Sequence, residues 1–274
     1  MALVYVNGSL IDEAEATIST FDHGLVVGDG AFETVLLFNG RPFALGRHLA
    51  RLDASLSGLR LSTPDHSRIK DAIDSVLEHV TYAQGRIRIT VTGGHGPLGS
   101  GRYPSDLSVV VATAELTESH ESAVVEVVPW PRNERGALVG LKTISYAENA
   151  VALSYANERG ADEAIFTNLA GNLCEGSGSN VFVVIDNEVV TPPLGAGCLA
   201  GITRGLVLEH SDATERDIPI GDFHPDKIGE AFLTSAIRGV EPITKINGGE
   251  LRVGPHTLKI KSDFETLRLN NREP

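Results

Sequence analysis

The stretch "ALVGLKTISYAENAVALSYANERGADEAIF", residues 137–166, holds a single lysine, Lys142. No other lysine or arginine lies between Arg135 and Arg159. Ahead of it runs an apolar series, Ala137, Leu138, Val139, Gly140 and Leu141. The pattern predicts a buried strand that ends at the lysine and a helix that opens there. An ammonium group at the end of a buried strand is costly unless it is paired, neutralised or used covalently. A neutral amine in apolar surroundings attacks aldehydes to give Schiff bases. The alternative is a lysine whose stem lines the strand end while its head reaches water.

Four further stretches have chemistry-bearing spacing. In "CEGSGSNVF" the carboxylate of Glu175 precedes glycines that let backbone approach a flat or phosphorylated partner. A carboxylate beside a pyridine nitrogen keeps that nitrogen protonated, and a protonated ring withdraws electrons from a carbanion. An ordinary acidic turn is the simpler alternative. "AGITRG" places Gly201, Ile202 and Thr203 at a predicted helix start, where free N–H groups and a hydroxyl make an anion site or a plain helix cap. Thr234, Ser235 and Ala236, just after an apolar strand, offer a second anion site. In "RHLARL" Arg51 follows His48 by one turn of a leucine-faced helix, from which it can reach a phosphate bidentately or simply face solvent. "GDGAFE" at 28–33 lacks the third glycine of a dinucleotide loop. "GSGSN" at 176–180 lacks it too and precedes a strand, which speaks against a Rossmann nucleotide site.

The elements that must position these groups follow from pattern. The chain has 274 residues, enough for one large domain or two of ordinary size, and a hydrophobic share of 42% is enough for a filled core. A net charge of −13 speaks against nucleic acid and anionic membranes as partners. The two cysteines, Cys174 and Cys198, have no zinc spacing and form no disulfide framework, which fits reduced thiols in a cytoplasmic protein. No metal site is expected. The first residues read as a strand with an Asn7-Gly8 turn rather than a leader peptide, and no apolar run reaches the length of a membrane span.

A second hairpin turn is expected at Asn39-Gly40, and helices from about Leu45 and over "HSRIKDAIDSVLEHV". Strands are expected at "GRIRITVTGG" and "LSVVVATAEL", on either side of the glycine-rich loop "GGHGPLGSGRYP". The polar "TESHES", 117–122, reads as a domain join. Beyond it come the strand "AVVEVVPW", the helix "ENAVALSYANER" and the strand "DEAIFTN". Two strands joined at Asp186-Asn187 follow, then a helix opening at "AGITRG" and the strand of "EAFLTSAIRGVEPI" entering a loop. Irregular alternation of strands and helices predicts α+β with two subdomains, not a doubly wound parallel sheet.

Six stretches in this order, "VGDGAFETV", "RHLARL", "GLKTISYAENAVA", "DEAIFTNLAGNLCEGSGSNVFVV", "AGITRGLVLE" and "LTSAIRGVEPI", resemble the fold type IV, or class IV, pyridoxal-phosphate enzymes. That family includes branched-chain aminotransferases, D-amino-acid aminotransferases, (R)-selective amine transaminases and aminodeoxychorismate lyases. The resemblance spans nearly the whole chain. It implies a smaller N-terminal α/β domain, 1–116, the join 117–122 and a larger C-terminal domain, 123–274, with the cofactor between them. It implies pyridoxal 5'-phosphate as cofactor, and a homodimer with active sites at the subunit boundary.

Residue by residue, the resemblance implies that Lys142 forms the Schiff base and shuttles protons while Glu175 holds the pyridine nitrogen. Arg51, Gly201, Ile202, Thr203, Ser235 and Ala236 would bind the phosphate. Gly178 and Asn180 would shape the ring side of the loop, and Tyr146 would contact the cofactor. "GDGAFETV", with Phe32 and Thr34 toward substrate, resembles the D-amino-acid and lyase branches, since branched-chain enzymes usually have glycine where Thr34 stands. The D-amino-acid branch traps a carboxylate with an arginine and a histidine two apart. Here His95 and Arg102 are seven apart, so Arg86 and Arg88, on one face of their strand, are further carboxylate candidates. Arg238 lies near the cofactor end.

The leading expectation is a transaminase that moves an amino group between a D-amino acid or (R)-amine and a keto acid. The second is an aminodeoxychorismate lyase, which gives 4-aminobenzoate and pyruvate. A branched-chain aminotransferase and a non-catalytic binding homologue stand behind both.

Overall fold

The computed structural model describes residues 3–117 and 121–274. Residues 118–120 of the expected join lie outside the described residues. Two compact units emerge. The first holds the described residues up to Thr117 together with Leu141–Tyr146 and Glu273; the second holds those from 121 to Gly140 together with Ala147–Arg272 and Pro274. The lysine expected in a C-terminal domain is thus part of the first unit.

The first unit runs β1 (Leu3–Val6), β2 (Ser9–Asp12), α1 (His23–Val27), β3 (Gly30–Phe38), β4 (Arg41–Pro42), α2 (Leu45–Gly58), α3 (His66–Leu77), β5 (Gly85–Thr92) and β6 (Ser108–Glu115). Its antiparallel sheet has the order β2-β1-β6-β5-β3-β4. The two Asn-Gly hairpin turns form as expected, with Asn7 and Asn39 at positive φ. Period-2 alternation sends Ala31, Val35, Leu37, Ile87, Ile89 and Val91 to one face, where Leu49, Leu52 and Leu56 of α2 and Ile69 and Ile73 of α3 close a core. The cross-strand pairs Phe32–Thr90 and Thr34–Arg88 stand on the other face. Ala44 caps α2 without a side-chain bond. The Glu273 carboxylate takes that place, accepting from the backbone N–H groups of Leu45 and Gly46 at 3.0 Å each.

The apolar run before Lys142 is not a strand. Residues 134–142 are turns and irregular backbone, Leu138 is exposed, and Gly140 has a φ of 74°. Lys142 does not open a helix either, since α4 (Ala147–Asn157) begins five residues later. Instead the lysine segment lies along β3. Phe32 N–H donates to the Lys142 carbonyl and Ile144 N–H to the Gly30 carbonyl, both at 3.0 Å.

The second unit runs β7 (Ala123–Val127), α4, β8 (Glu163–Thr167), β9 (Leu173–Gly176), β10 (Asn180–Ile185), β11 (Glu188–Thr191), α5 (Ile202–His210), β12 (Thr214–Glu215), β13 (Glu230–Ser235), β14 (Gly239–Ile246), β15 (Gly249–Glu250) and α6 (Pro255–Asn270). Its mixed sheet has the order β12-β11-β10-β13-β14-β7-β8-β9, with β15 on β14. The loop expected after "EAFLTS" is only a tight turn at 236–238, after which β14 pairs back antiparallel on β13. Val125, Ile165, Val181, Val183, Leu233 and Ile243 make this unit's main core. Among the described residues no helix is long and apolar enough to cross a membrane, and none group as a metal site.

Candidate active site

The candidate residues fall into two groups, one on each unit. In the first unit the lysine segment is pinned to α2 and β3. Lys142 N–H donates to Ser55 Oγ at 3.0 Å. Leu141 fills the space beside Gly58, where a Cβ would come within 2.5 Å of it. The Lys142 ammonium stands 4.4 Å from the centre of the Phe32 ring. The Arg88 guanidinium stacks on the same ring at 3.4 Å, and Tyr146 meets it edge-on at 5.4 Å. Phe32, Thr34, Arg88, Tyr146 and Lys142 are therefore neighbours. Arg88 is half-buried, and burial holds its guanidinium below the ordinary range, against the opposing charges of Tyr146 and Glu33. Arg86 shares the face but is exposed.

On the other face, fully buried Glu33 accepts from Arg51 through Nε and Nη2, both at 2.7 Å, and from His48 Nδ1 at 2.6 Å. Burial opposes the charge on Glu33. The Arg51 hydrogen bonds and charge, then those of His48, outweigh it and bring the carboxyl down to about 2. Burial also lowers His48, which donates its Nδ1 proton to the ionised carboxylate as a neutral imidazole. The sequence showed His48 and Arg51 one turn apart on α2, but not the carboxylate that binds both.

Arg102 is not brought to Lys142. Its Nε donates to Asp29 Oδ2 at 2.7 Å, its Nη2 to Asp29 Oδ1, and its Nη1 to the Leu59 carbonyl at 2.8 Å. Burial opposes the charge on Asp29, and the Arg102 and His23 hydrogen bonds outweigh it, so that carboxyl sits below the usual range. Arg102 thus fastens the glycine-rich loop to the start of β3. His95 stacks on Phe21 instead.

In the second unit β9 presents Glu175, which is paired with Phe166 of β8. The Leu199 N–H donates to Glu175 Oε2 at 2.9 Å, and Arg132 Nε lies 3.3 Å from Oε1. The Arg132 guanidinium stacks on Phe166 at 4.0 Å. Arg132, 43 residues upstream of Glu175, gave no signal in the sequence.

Asn180 opens β10, and its side-chain amide donates to the Leu199 carbonyl at 2.8 Å. Gly201 then caps α5 with extended backbone and no side-chain bond. A Cβ on Gly201 would lie 2.0 Å from Asn180 Oδ1, so only glycine lets the helix start approach this strand. The N–H groups of Ile202 and Thr203 belong to the first turn, which has no intrahelical acceptor for them. The buried Thr203 hydroxyl donates to the Ser235 carbonyl at 2.9 Å and so ties the helix start to the β13–β14 turn, where Ala236 follows. Gly178 is the exposed tip of the loop between β9 and β10. Cys174 and Cys198 are buried, and burial raises both thiols, Cys198 to about 12, so neither is a nucleophile at neutral pH.

A helix start built for an anion and a carboxylate for a protonated ring nitrogen, joined through Leu199 and Asn180, fit pyridoxal 5'-phosphate. A lysine amine beside an aromatic ring fits its aldehyde.

Comparison with known proteins agrees. The family "Amino-transferase class IV" matches residues 30–246. A putative branched-chain-amino-acid aminotransferase of Methanocaldococcus jannaschii is 31% identical over 97% of this chain and 96% of its own. An aminodeoxychorismate lyase of Bacillus subtilis is 28% identical over 97% and 93%, and a D-alanine aminotransferase of Staphylococcus haemolyticus 29% over 96% and 97%. The crystal structure of a branched-chain aminotransferase from Thermoproteus uzoniensis with norvaline superposes with a TM-score of 0.92 at 27% identity, over 99% of this chain and 96% of that one. The chain belongs to the class IV aminotransferases, enzymes of mixed α/β fold that work with pyridoxal 5'-phosphate.

Proposed function

We propose that this aminotransferase moves the amino group of a D-amino acid to a keto acid. Lys142 is the lysine that holds the cofactor and moves the α-proton, and Arg88 reads the substrate carboxylate. The observation that carries this reading is the shared Phe32 ring, with the Arg88 guanidinium 3.4 Å and the Lys142 amine 4.4 Å from its centre. A permanent cation beside the reacting amine selects a substrate with a carboxylate next to its amino carbon, and so favours an amino acid over a plain (R)-amine. The D configuration rests on the resemblance of "GDGAFETV" to that branch and on the D-alanine aminotransferase relatives.

When bound, the cofactor supplies an electron-poor ring that accepts the electrons of a deprotonated α-carbon. Lys142, as a free amine, would be the general base that takes the α-proton, and its conjugate acid would give that proton back. Glu175, with Arg132 and the Leu199 N–H fixing its two oxygens, holds the proton on the ring nitrogen. Gly201, Ile202 and Thr203 hold the phosphate, with Ser235 behind Thr203, and Arg51 is assigned to the same group. The enzyme is expected to work as a cytoplasmic homodimer.

The lyase relative supports a second reading, release of pyruvate and 4-aminobenzoate from 4-amino-4-deoxychorismate. The Methanocaldococcus relative supports a third, transfer from L-branched-chain amino acids. The test is to give purified, cofactor-loaded protein D-alanine, L-leucine, an (R)-amine and 4-amino-4-deoxychorismate in turn. The readouts are the cofactor absorbance, pyruvate and 4-aminobenzoate. Bleaching by D-alanine, restored by a keto acid, is the expected result. Turnover with L-leucine alone, or sustained release of 4-aminobenzoate, would replace this reading with the corresponding alternative.

A further inference from the structure

A buried carboxylate of the second unit gathers several hydrogen bonds from the loop after Glu175. Glu163, at the start of β8, is 2% exposed. Its Oε1 accepts from Ser177 N–H at 2.9 Å and from the Ser177 hydroxyl. Its Oε2 accepts from the Ser179 hydroxyl at 3.0 Å and from Arg238 Nη2. Arg238 sits in the turn between β13 and β14 and is held on its other arm by buried Glu241, at 3.0 Å from Nη1. Burial opposes the charge on Arg238, but the two carboxylates outweigh it and raise the guanidinium above its ordinary range. A half-buried arginine gripped by two buried carboxylates is a rigid unit.

Three donors of this network, out of one loop, fix the segment between Glu175 and Asn180. Gly176 N–H closes that loop on the Ser179 carbonyl at 2.8 Å. There is no room for a larger residue, since a Cβ on Gly176 would come within 2.2 Å of Ser179 Oγ. The Arg238 backbone N–H also donates to Ser235 Oγ at 3.1 Å, and Ser235 holds Thr203. One ion pair therefore ties the loop that carries Glu175 to the turn that supports the phosphate end.

The geometry points to Glu163 and Arg238 as positioning residues. They hold the Ser177–Ser179 loop so that the Glu175 carboxylate stands fixed where it meets the ring nitrogen, and they couple that fixation to the Ser235–Thr203 end of the cofactor site. This rests on the assignment of Glu175 to the ring nitrogen.

The test is a double-mutant cycle on the holoenzyme with Glu163→Gln, Glu175→Gln and the pair. It reads kcat, KM, the absorbance spectrum of the bound cofactor and its dissociation constant. Removal of such supporting groups costs about 10–100-fold in ligand affinity or activity at metal sites. Glu163→Gln is expected to lower kcat by about tenfold or more with little change in KM, to alter the cofactor spectrum, and to cost little further in the Glu175→Gln background. Ser179→Ala and Arg238→Lys, which each remove or weaken one contact, keep the test readable if Glu163→Gln does not fold, and should shift the spectrum in the same direction. Additive losses in the cycle with an unchanged spectrum would overturn the inference while leaving Glu175 in place. A wild-type rate for Glu175→Gln would overturn both.

Discussion

Glu33→Gln should destabilise this protein by about 3 kcal/mol at neutral pH and remove part of its acid sensitivity. Glu33 is fully buried and bound by Arg51 and His48. A carboxyl held at about 2 instead of 4.5 has its charged form favoured by about 3 kcal/mol in the folded state. Glutamine keeps the shape but removes the charge that Glu33 presents to Arg51 and His48, and breaking a buried pair in this way costs about 3–5 kcal/mol. For a chain of this size that corresponds to a fall of roughly 6–12 °C in the unfolding midpoint.

The sign with pH follows from the depressed value. The contribution of Glu33 is complete above about 4.5, where the unfolded carboxyl is ionised too. It fades as pH falls towards 2, because the unfolded chain takes up the proton first. By pH 3 about 2 of the 3 kcal/mol should be gone. His48, also depressed, adds a loss of the same sign that begins below its unfolded value of 6.5. The assay is thermal and urea unfolding of cofactor-free wild type and Glu33→Gln at pH 7 and pH 3. The gap should be wide at pH 7 and narrow at pH 3. A gap below about 1 kcal/mol at pH 7, or one that does not narrow in acid, would refute the reasoning.

Two further outcomes are expected. Arg88→Met should raise KM for the amino acid about 10–100-fold, since a charge-assisted bond of about 1.5–3 kcal/mol is lost, while cofactor binding stays intact; unchanged KM would move carboxylate reading to another group. Gly201→Ala should weaken cofactor binding and lower the melting point of the cofactor-free protein, because the new methyl must displace the buried Asn180 side chain from 2.0 Å. Titration of cofactor into the variant would show this directly.

Periodicity made the outline legible. The leucines of α2, the alternation of β5 and the two Asn-Gly turns are local signals, and each forms where expected. The segment before Lys142 misled because an apolar run looks alike whether it is buried in a sheet or wrapped in turns, and Gly140 at positive φ breaks it. The strand β14 hid because its turn with β13 is only three residues long, so two strands read as one strand and a loop. The candidate residues stood out because glycines, a lone lysine and an acidic loop are unusual compositions. Their partners did not. Glu33 meets Arg51 across 18 residues, Glu163 meets Arg238 across 75, and Arg132 meets Glu175 across 43. Such pairs are made by strand order and facing, which no spacing in a single sequence encodes.

The excursion of residues 141–146 into the first unit has a consequence for the order in which the protein can be made. On the ribosome, β1 to β6 emerge first, but the edge of β3 at Gly30 and Phe32, the Ser55 hydroxyl and the hollow at Gly58 all wait for a segment synthesised about two dozen residues after Thr117. A nascent chain stopped at Thr117 would carry an unpaired strand edge, the feature that invites association with other chains. One released beyond Tyr146 could cover it. Fragment complementation would obey the same rule: a piece ending at 117 should be rescued by a peptide spanning 141–146, and a cut placed between the two compact units cannot separate them cleanly, because the backbone crosses at both ends of the lysine segment.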